Sequence, residues 1–427
     1  MTAPVADDYQ VPRRQAHFAL VVLTLLMAFD FIDRQVLASL LPAIKQEWAL
    51  SDTKLGMLVS SVNVAIALLA LPTAMVVDRW SRSRSIGVMA VLWSLATGAC
   101  MLAGNFYQLL VARFAIGTGE AGYVAGGNAL LSALYPARLR ATVIGIFQSG
   151  GLIGSVLGVV LGGYIASHWG WRSAFGVVAL PGLLLAVLVF FIRDYKSVAV
   201  TVTDEQSGLV REVSWLDVIV MMLRTPVLLL VFIAQASQLF FVSTFGNWLP
   251  SFLNRVHGLP LDKAGLHTGL TLIVAAAGTA VGGWSIDRFA RQKPHRRLYG
   301  AAAFALLTAV LFAAAFSIEA SGLQRVLMFA GAFCMTAVLG PAMAAVSDLV
   351  HPGMRTSALG MLVTTTNLFG MALGPTLGGM LADRYDLQTA LLIVAFAPLL
   401  GAVGYTMAAL RYNRGRMASA DAQLSMA

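Results

Sequence analysis

Apolar residues run along this chain in long stretches separated by short polar turns. They fall near residues 17–43, 55–77, 86–104, 108–135, 141–167 and 173–192, then 226–253, 266–286, 298–317, 324–350, 357–382 and 388–410. Each approaches the ~20 residues that an α-helix needs to cross a bilayer, so the pattern predicts twelve membrane-spanning helices. Only Asn105 and its neighbours divide the third stretch from the fourth. The first follows a polar leader with Asp7, Asp8, Arg13 and Arg14. At about 25 apolar residues it is too long for a signal-peptide core and reads as a retained first helix.

The longest polar segment separates the stretches six and six. The expected organisation is an N-terminal six-helix bundle (1–192), a cytoplasmic central linker (193–225), and a C-terminal six-helix bundle with a cytoplasmic tail (226–427). Within the linker, Ser214–Leu223 has an apolar face suited to lying along the membrane surface. An internal repeat crosses that linker. AMVVDRWSR (74–82) is echoed by GWSIDRFAR (283–291), 209 residues later, and LGGYIASHWGWRSAF (161–175) by LGGMLADRYDLQTAL (377–391), 216 later. Pro136, Arg140 and Gly145 are echoed by Pro352, Arg355 and Gly360. Two parallel six-helix repeats place a substrate site between them near mid-membrane.

Composition agrees with the pattern. Of 427 residues, 58% are hydrophobic and 11% charged, against about 25% charged in soluble domains. That excludes an ordinary cytosolic enzyme, a nucleic-acid binder and a disordered scaffold. The net charge of +9 is topological. With both termini in the cytoplasm, 20 of the 29 Lys and Arg fall on the cytoplasmic side, seven on the other and two within spans. This satisfies the positive-inside rule and predicts a multi-pass protein of the cell (inner) membrane. Cys100 and Cys334 each lie in an apolar run, without disulfide or zinc spacing. The six histidines sit at span ends or loops, offering neither metal-ligand spacing nor a nucleophile triad. Neither an enzyme, a metal site nor a cofactor is expected.

The repeated signatures, Asp78, Arg79 and Arg82, then Asp287, Arg288 and Arg291, are similar to the loop motif of the major facilitator superfamily. The copies depart from it at Ala74, Ser81 and Ala290. Within that superfamily the chain resembles the spinster-like transporters and the anion:cation symporters. FIDRQ (31–35), LWS (92–94), RFAIGTGEAGY (113–123), GWRSAF (170–175) and NWLPSFLNRVHG (247–258) carry the resemblance. It implies an all-α major facilitator fold of twelve helices in two pseudo-symmetric bundles. It also implies that Asp33 and Glu120 carry protons, that Arg34 and Arg113 bind substrate, and that the two loop signatures latch the cytoplasmic side. Substrate is not shared across these families.

Five ionisable residues lie inside the spans, where each costs several kcal/mol unless paired or wetted. Asp30 and Arg34 are four apart and can pair, and Asp33 overlaps their face. Arg113 and Glu120 are seven apart, two turns along one face. At about 1.5 Å per residue, both arginines lie roughly 9–12 Å deep, with Asp30 and Glu120 roughly 18–20 Å deep. A shelf of arginine beside proton-titrating acids suits an anionic substrate. The same residues are also compatible with a static salt-bridge cluster pinning the first helix to the fourth, and Asp30 with a purely structural role beside Arg34. The second half instead has Gln235, Gln238 and Asn247 around an aromatic stretch, and Asn367 in the eleventh span. These, with Tyr123, are candidate substrate contacts, although each amide alone equally suits an interhelical hydrogen bond. Glycines recur every four residues at 150–162 and 370–378, a face for close or sliding helix contact.

The expectation is a proton-coupled secondary transporter of a small organic anion, working by alternating access. Asp33, Glu120 and Asp30 would couple protons. Arg34, Arg113, Tyr123, Gln235, Gln238, Asn247 and Asn367 would contact substrate. Its partners would be the anion, protons and the lipid bilayer, with one chain acting as a monomer. A lysophospholipid or other amphiphile as cargo, export in place of uptake, and a non-transporting receptor remain as alternatives.

Overall fold

The computed structural model describes residues 9, 11–193, 225–291, 295–350 and 355–424. The surface-helix expectation for Ser214–Leu223 lies outside them, as does nearly all of the central linker. Among the described residues, ten helical stretches are long and apolar enough to cross a membrane. The first half supplies α1 (Arg13–Trp48), α2 (Asp52–Arg79), α3 (Arg82–Met101), α4 (Phe106–Glu120), α5 (Tyr123–Leu134), α6 (Arg140–Trp169) and α7 (Trp171–Val189). The second supplies α8 (Pro226–Arg255), α9 (Leu261–Ala290), α10 (Arg296–Phe316), α11 (Gly322–Thr336) and α12 (Leu339–Leu349). After these come α13 (Arg355–Thr365), α14 (Leu373–Arg384), α15 (Leu387–Val394) and α16 (Ala397–Leu424).

The two expected spans missing from the ten are interrupted helices. The fourth breaks between α4 and α5, and the eleventh passes through a π-helical stretch, Thr366–Ala372, between α13 and α14. Counting them restores the twelve crossings of a major facilitator fold. The repeat is visible in the backbone. The N-caps Asn105 and Ser321, each accepting from the amide three residues on, are 216 apart, and so are the breaks after Glu120 and Thr336. Matched interruptions in corresponding helices are the backbone signature of a transporter site at mid-membrane.

The residues form two compact units. One comprises 1–197, 245–272 and 375–387; the other comprises 198–244, 273–374 and 388–427. The first therefore takes in the first sequence half together with end segments of α8, α9 and α14. Calling the membrane face where α1 begins the near face, these segments lie at the far face.

Glycine determines how α1 is held. A Cβ at Gly150 would approach the Thr24 carbonyl oxygen to 2.5 Å, one at Gly158 the Ile32 carbonyl to 2.8 Å, and one at Gly162 the Val36 side chain to 2.9 Å. At Gly154 it would run into the Ala28 carbonyl. The row thus brings α6 against the backbone of α1, inside one unit. In the other unit, Gly370 and Gly374 bring the eleventh span against the Ala236 and Phe240 carbonyls of α8 in the same way. Gly154→Val should cost at least the 1–3 kcal/mol typical of overpacking, read as a lower unfolding temperature of the solubilised protein. Gly145→Ala, where a Cβ meets nothing within 4 Å, is the control and should leave that temperature unchanged or raise it. Equal behaviour of the two variants would remove the packing argument.

At the far face, the first unit is closed by charges. Asp52, the first residue of α2, accepts from Lys45 Nζ at 2.7 Å and from Arg255 Nη1 at 2.9 Å, with Arg255 Nη2 2.8 Å from its other oxygen. Asp383 caps the start of α2. Its carboxylate accepts from the Asp52 and Thr53 amides at 2.7 and 2.8 Å and from the Thr53 hydroxyl at 2.6 Å. Burial pushes the Asp383 carboxyl up, but these hydrogen bonds and the Lys45 charge outweigh it and hold the group below the usual carboxylate range. Below this cap, Thr376 donates to Ser60 at 2.8 Å.

Candidate functional site

The charged residues meet where α1 and α4 face one another. α1 brings Asp30, Asp33 and Arg34 to one side within a single turn and a little more. α4 brings Arg113 from mid-helix and Glu120 from its last position, next to the break. Burial is nearly complete: Asp30 is 0% exposed, Asp33 and Arg113 1%, and Glu120 2%. Arg34 differs, keeping 21% of its side chain accessible.

Two ion-pair groups result. In the first, Arg34 Nε donates to Asp30 Oδ1 at 3.0 Å, and Nη2 lies 3.5 Å from Asp30 Oδ2. Nη2 also lies 2.9 Å from Glu120 Oε2. The Asp30 and Glu120 carboxyls face each other as well, so a single guanidinium serves two acids. Phe31 stacks beside it, 5.3 Å from ring centroid to guanidinium carbon. In the second group, Arg113 Nη1 donates to the Asp33 main-chain carbonyl at 3.3 Å and lies 3.6 Å from Asp33 Oδ2. The arginines therefore do not form one shared shelf. Arg34 keeps part of its side chain accessible, whereas Arg113 is enclosed with Asp33.

The remaining candidates are placed as follows. Tyr123 is fully buried and donates to the Leu23 carbonyl at 2.7 Å, fixing α5 to α1. Gln235 accepts from the Tyr405 hydroxyl, and Gln238 donates to the Met335 carbonyl at 2.8 Å. Asn367, inside the π-helical stretch, donates to the Val363 carbonyl of the preceding α13 at 2.9 Å. Asn247 is half-buried in α8. The Gln235 oxygen and the Gln238 and Asn367 nitrogens are thus engaged by protein, while Gln238 Oε1 is buried with no hydrogen-bond partner.

Of the expected latch residues, the Asp78 and Arg79 side chains lie outside the described residues, and Arg82 is half-buried. Asp287 accepts from Arg297 Nε at 2.9 Å, and Arg297 also donates to Asp348 at 2.5 Å, a triad inside the second unit. Arg288 lies over the Trp284 ring, and Arg291 is exposed.

Sequence reasoning overlooked the far-face network of Lys45, Asp52, Arg255 and Asp383. A signal was present. Lys45 and Arg255 are among the seven basic residues on the sparsely basic side, where a cation needs a specific reason to be.

The chain is 29% identical over 440 residues to an MFS-type efflux pump of Mycolicibacterium smegmatis, covering 97% of this chain and 98% of that protein. It is 28% identical over 420 residues to a hexuronate transporter of Bacillus subtilis, covering 94% and 97%. In fold it is similar to a solved bacterial homolog of the human lysosomal transporter Spinster, in an inward-facing and unoccupied conformation. That match has a TM-score of 0.84 at 22% identity and covers 95% of this chain and 99% of the other. The Major Facilitator Superfamily profile matches residues 23–368, and the chain, with its twelve crossings and matched helix interruptions, belongs to that superfamily of membrane transporters.

Proposed function

We propose that this transporter is a proton-coupled symporter of a small organic anion. The observation that supports this reading best is the sharing of Arg34 between two buried carboxyls while part of its side chain stays accessible. Anion and carboxylate then compete for one cation. A proton on Glu120 removes its claim on Arg34, so the anion binds more strongly to the protonated carrier. By reciprocity, the bound anion retains the proton. Asp30 is the second acid of this group. Asp33, against Arg113, is a separate carboxyl able to take a proton as the helices shift.

The similarity to a hexuronate transporter supports an anionic cargo, since a hexuronate is a sugar carboxylate. The distribution of Lys and Arg supports a cytoplasmic near face and both termini inside. A single chain holds both repeats and works as a monomer. Near-face closing by the Asp78 and Asp287 signatures completes the cycle.

The test uses purified protein in liposomes loaded with a pH-sensitive dye, with sugar acids, aromatic acids and short carboxylates added outside. Wild type should acidify the lumen when its substrate is present, and Glu120→Gln should lose at least tenfold of that rate. Anion uptake without proton movement, or undiminished acidification by Glu120→Gln, would reject proton coupling through this site. Movement of labelled lysophospholipid with no response to any acid would put an amphiphile in the anion's place.

A further inference from the structure

We infer that the cargo presents a single anionic group to the protein, a monocarboxylate with an uncharged remainder, and that this group binds Arg34 alone. The inference rests on the symport reading and narrows its substrate class. Two intramembrane arginines in the sequence would suit a two-point clamp on a dicarboxylate. The geometry separates them.

Arg113 is 1% exposed and turned towards Asp33, whose main-chain and side-chain oxygens both lie near Nη1. Reaching it would mean extracting a buried ion pair. Arg34 is the intramembrane cation whose side chain is partly accessible. A guanidinium offers two edges on which both oxygens of a carboxylate can sit, Nε with Nη2 and Nη1 with Nη2. Asp30 occupies the first edge with both of its oxygens, at 3.0 and 3.5 Å, from one turn earlier on the same helix. Glu120 approaches the second edge at Nη2, 2.9 Å away, without hydrogen-bond alignment. Among the described residues, Nη1 has no protein partner.

The incoming carboxylate therefore fits the Nη1–Nη2 edge, exchanging with Glu120, which holds by one contact from another helix. Asp30 stays in place and keeps that edge presented. With Glu120 protonated, Arg34 faces two carboxylates as before, Asp30 and the cargo's in place of Glu120, and no positive charge is left over. A second anionic group would need a second cation. The spans of the second half carry no Lys or Arg away from their ends, and their amides Gln235 and Gln238 supply no charge. An unpaired carboxylate in such surroundings costs several kcal/mol.

The experiment compares matched acids in proteoliposomes, glucuronate against glucarate and 4-hydroxybenzoate against terephthalate, as substrates and as competitors of one another. In at least one pair the monoacid should be taken up, with a half-saturating concentration at least tenfold below that of its diacid. Arg34→Lys keeps the charge but lacks the two-donor edge, and should lose at least tenfold in monoacid affinity while remaining folded by its unfolding temperature. Equal handling of monoacid and diacid, or preference for the diacid, would overturn the single-charge inference and leave anion symport standing. Unaltered monoacid affinity in Arg34→Lys would overturn the edge assignment. Failure of every acid to be transported or to compete would reject the anion reading itself.

Discussion

Arg34→Gln is expected to lose all anion uptake and, in the same step, about 3–5 kcal/mol of stability, the usual result of removing one partner from a buried ion pair. The variant strands Asp30 and Glu120, which are 0% and 2% exposed and face one another, without the cation they share. The two losses can be separated. Adding Asp30→Asn to Arg34→Gln leaves one carboxyl, which can be buried in its neutral form. The double variant should recover most of the unfolding temperature and none of the uptake. Thermal unfolding of the solubilised protein, alongside counterflow in proteoliposomes, reads both quantities. If the double variant regained transport, Arg34 would be a structural pin and the symport mechanism would lose its substrate contact.

The second large effect belongs to the far face. Asp52 is 4% exposed and is the common anion for Lys45 and Arg255. Asp52→Asn preserves its shape, but leaves two cations facing one another at the closed end of the first unit. A loss of about 3 kcal/mol would raise the open-to-closed ratio at that face more than a hundredfold. Ser60, buried beneath Thr376, is a suitable reporter. A membrane-impermeant maleimide applied from the far face should label Ser60→Cys at least tenfold faster when Asp52→Asn is also present. Unchanged labelling would mean that backbone packing, not charge, closes this face.

Asp383 gives a related expectation for pH. Its carboxyl is held below the ordinary value, so its contribution to closure is complete above that value and is lost only as pH falls through the depressed one. Between pH 5 and 8 its charge is constant. A change in transport rate across that interval therefore has to originate in other groups.

The twelve crossings were legible because the membrane imposes one length on each of them and hydropathy records it. The interruptions were not. No proline marks the break after Glu120, where Gly122 lies against Met89 and Thr73, and no glycine or proline occupies Ala337 and Val338. Such breaks depend on tertiary contacts that a window average cannot register. Within the site, the Asp30–Arg34 pair follows from their spacing on one helix. The cross-helix pairing does not. Counting residues gave comparable depths for the two arginines, but depth carries no information about rotation around the α4 axis. That rotation turns Arg113 to Asp33 and Glu120 to Arg34. The far-face network was harder still, since it joins residues 45, 52, 255 and 383 through folding alone.

The glycine row of α6 also bears on how the membrane gradient is kept. Gly154 and Gly158 press against Ala28 and Ile32, the residues two before and two after Asp30, and leave no room there for a column of water. The side of α1 that faces α6 is therefore sealed by backbone packing, and in the proposed symport cycle the proton would approach the acid pair from the partly accessible side of Arg34. In that cycle an anion seated on Arg34 would cover this approach. Ion and cargo would then share one doorway, so that loading the anion would also close the path by which the proton arrived.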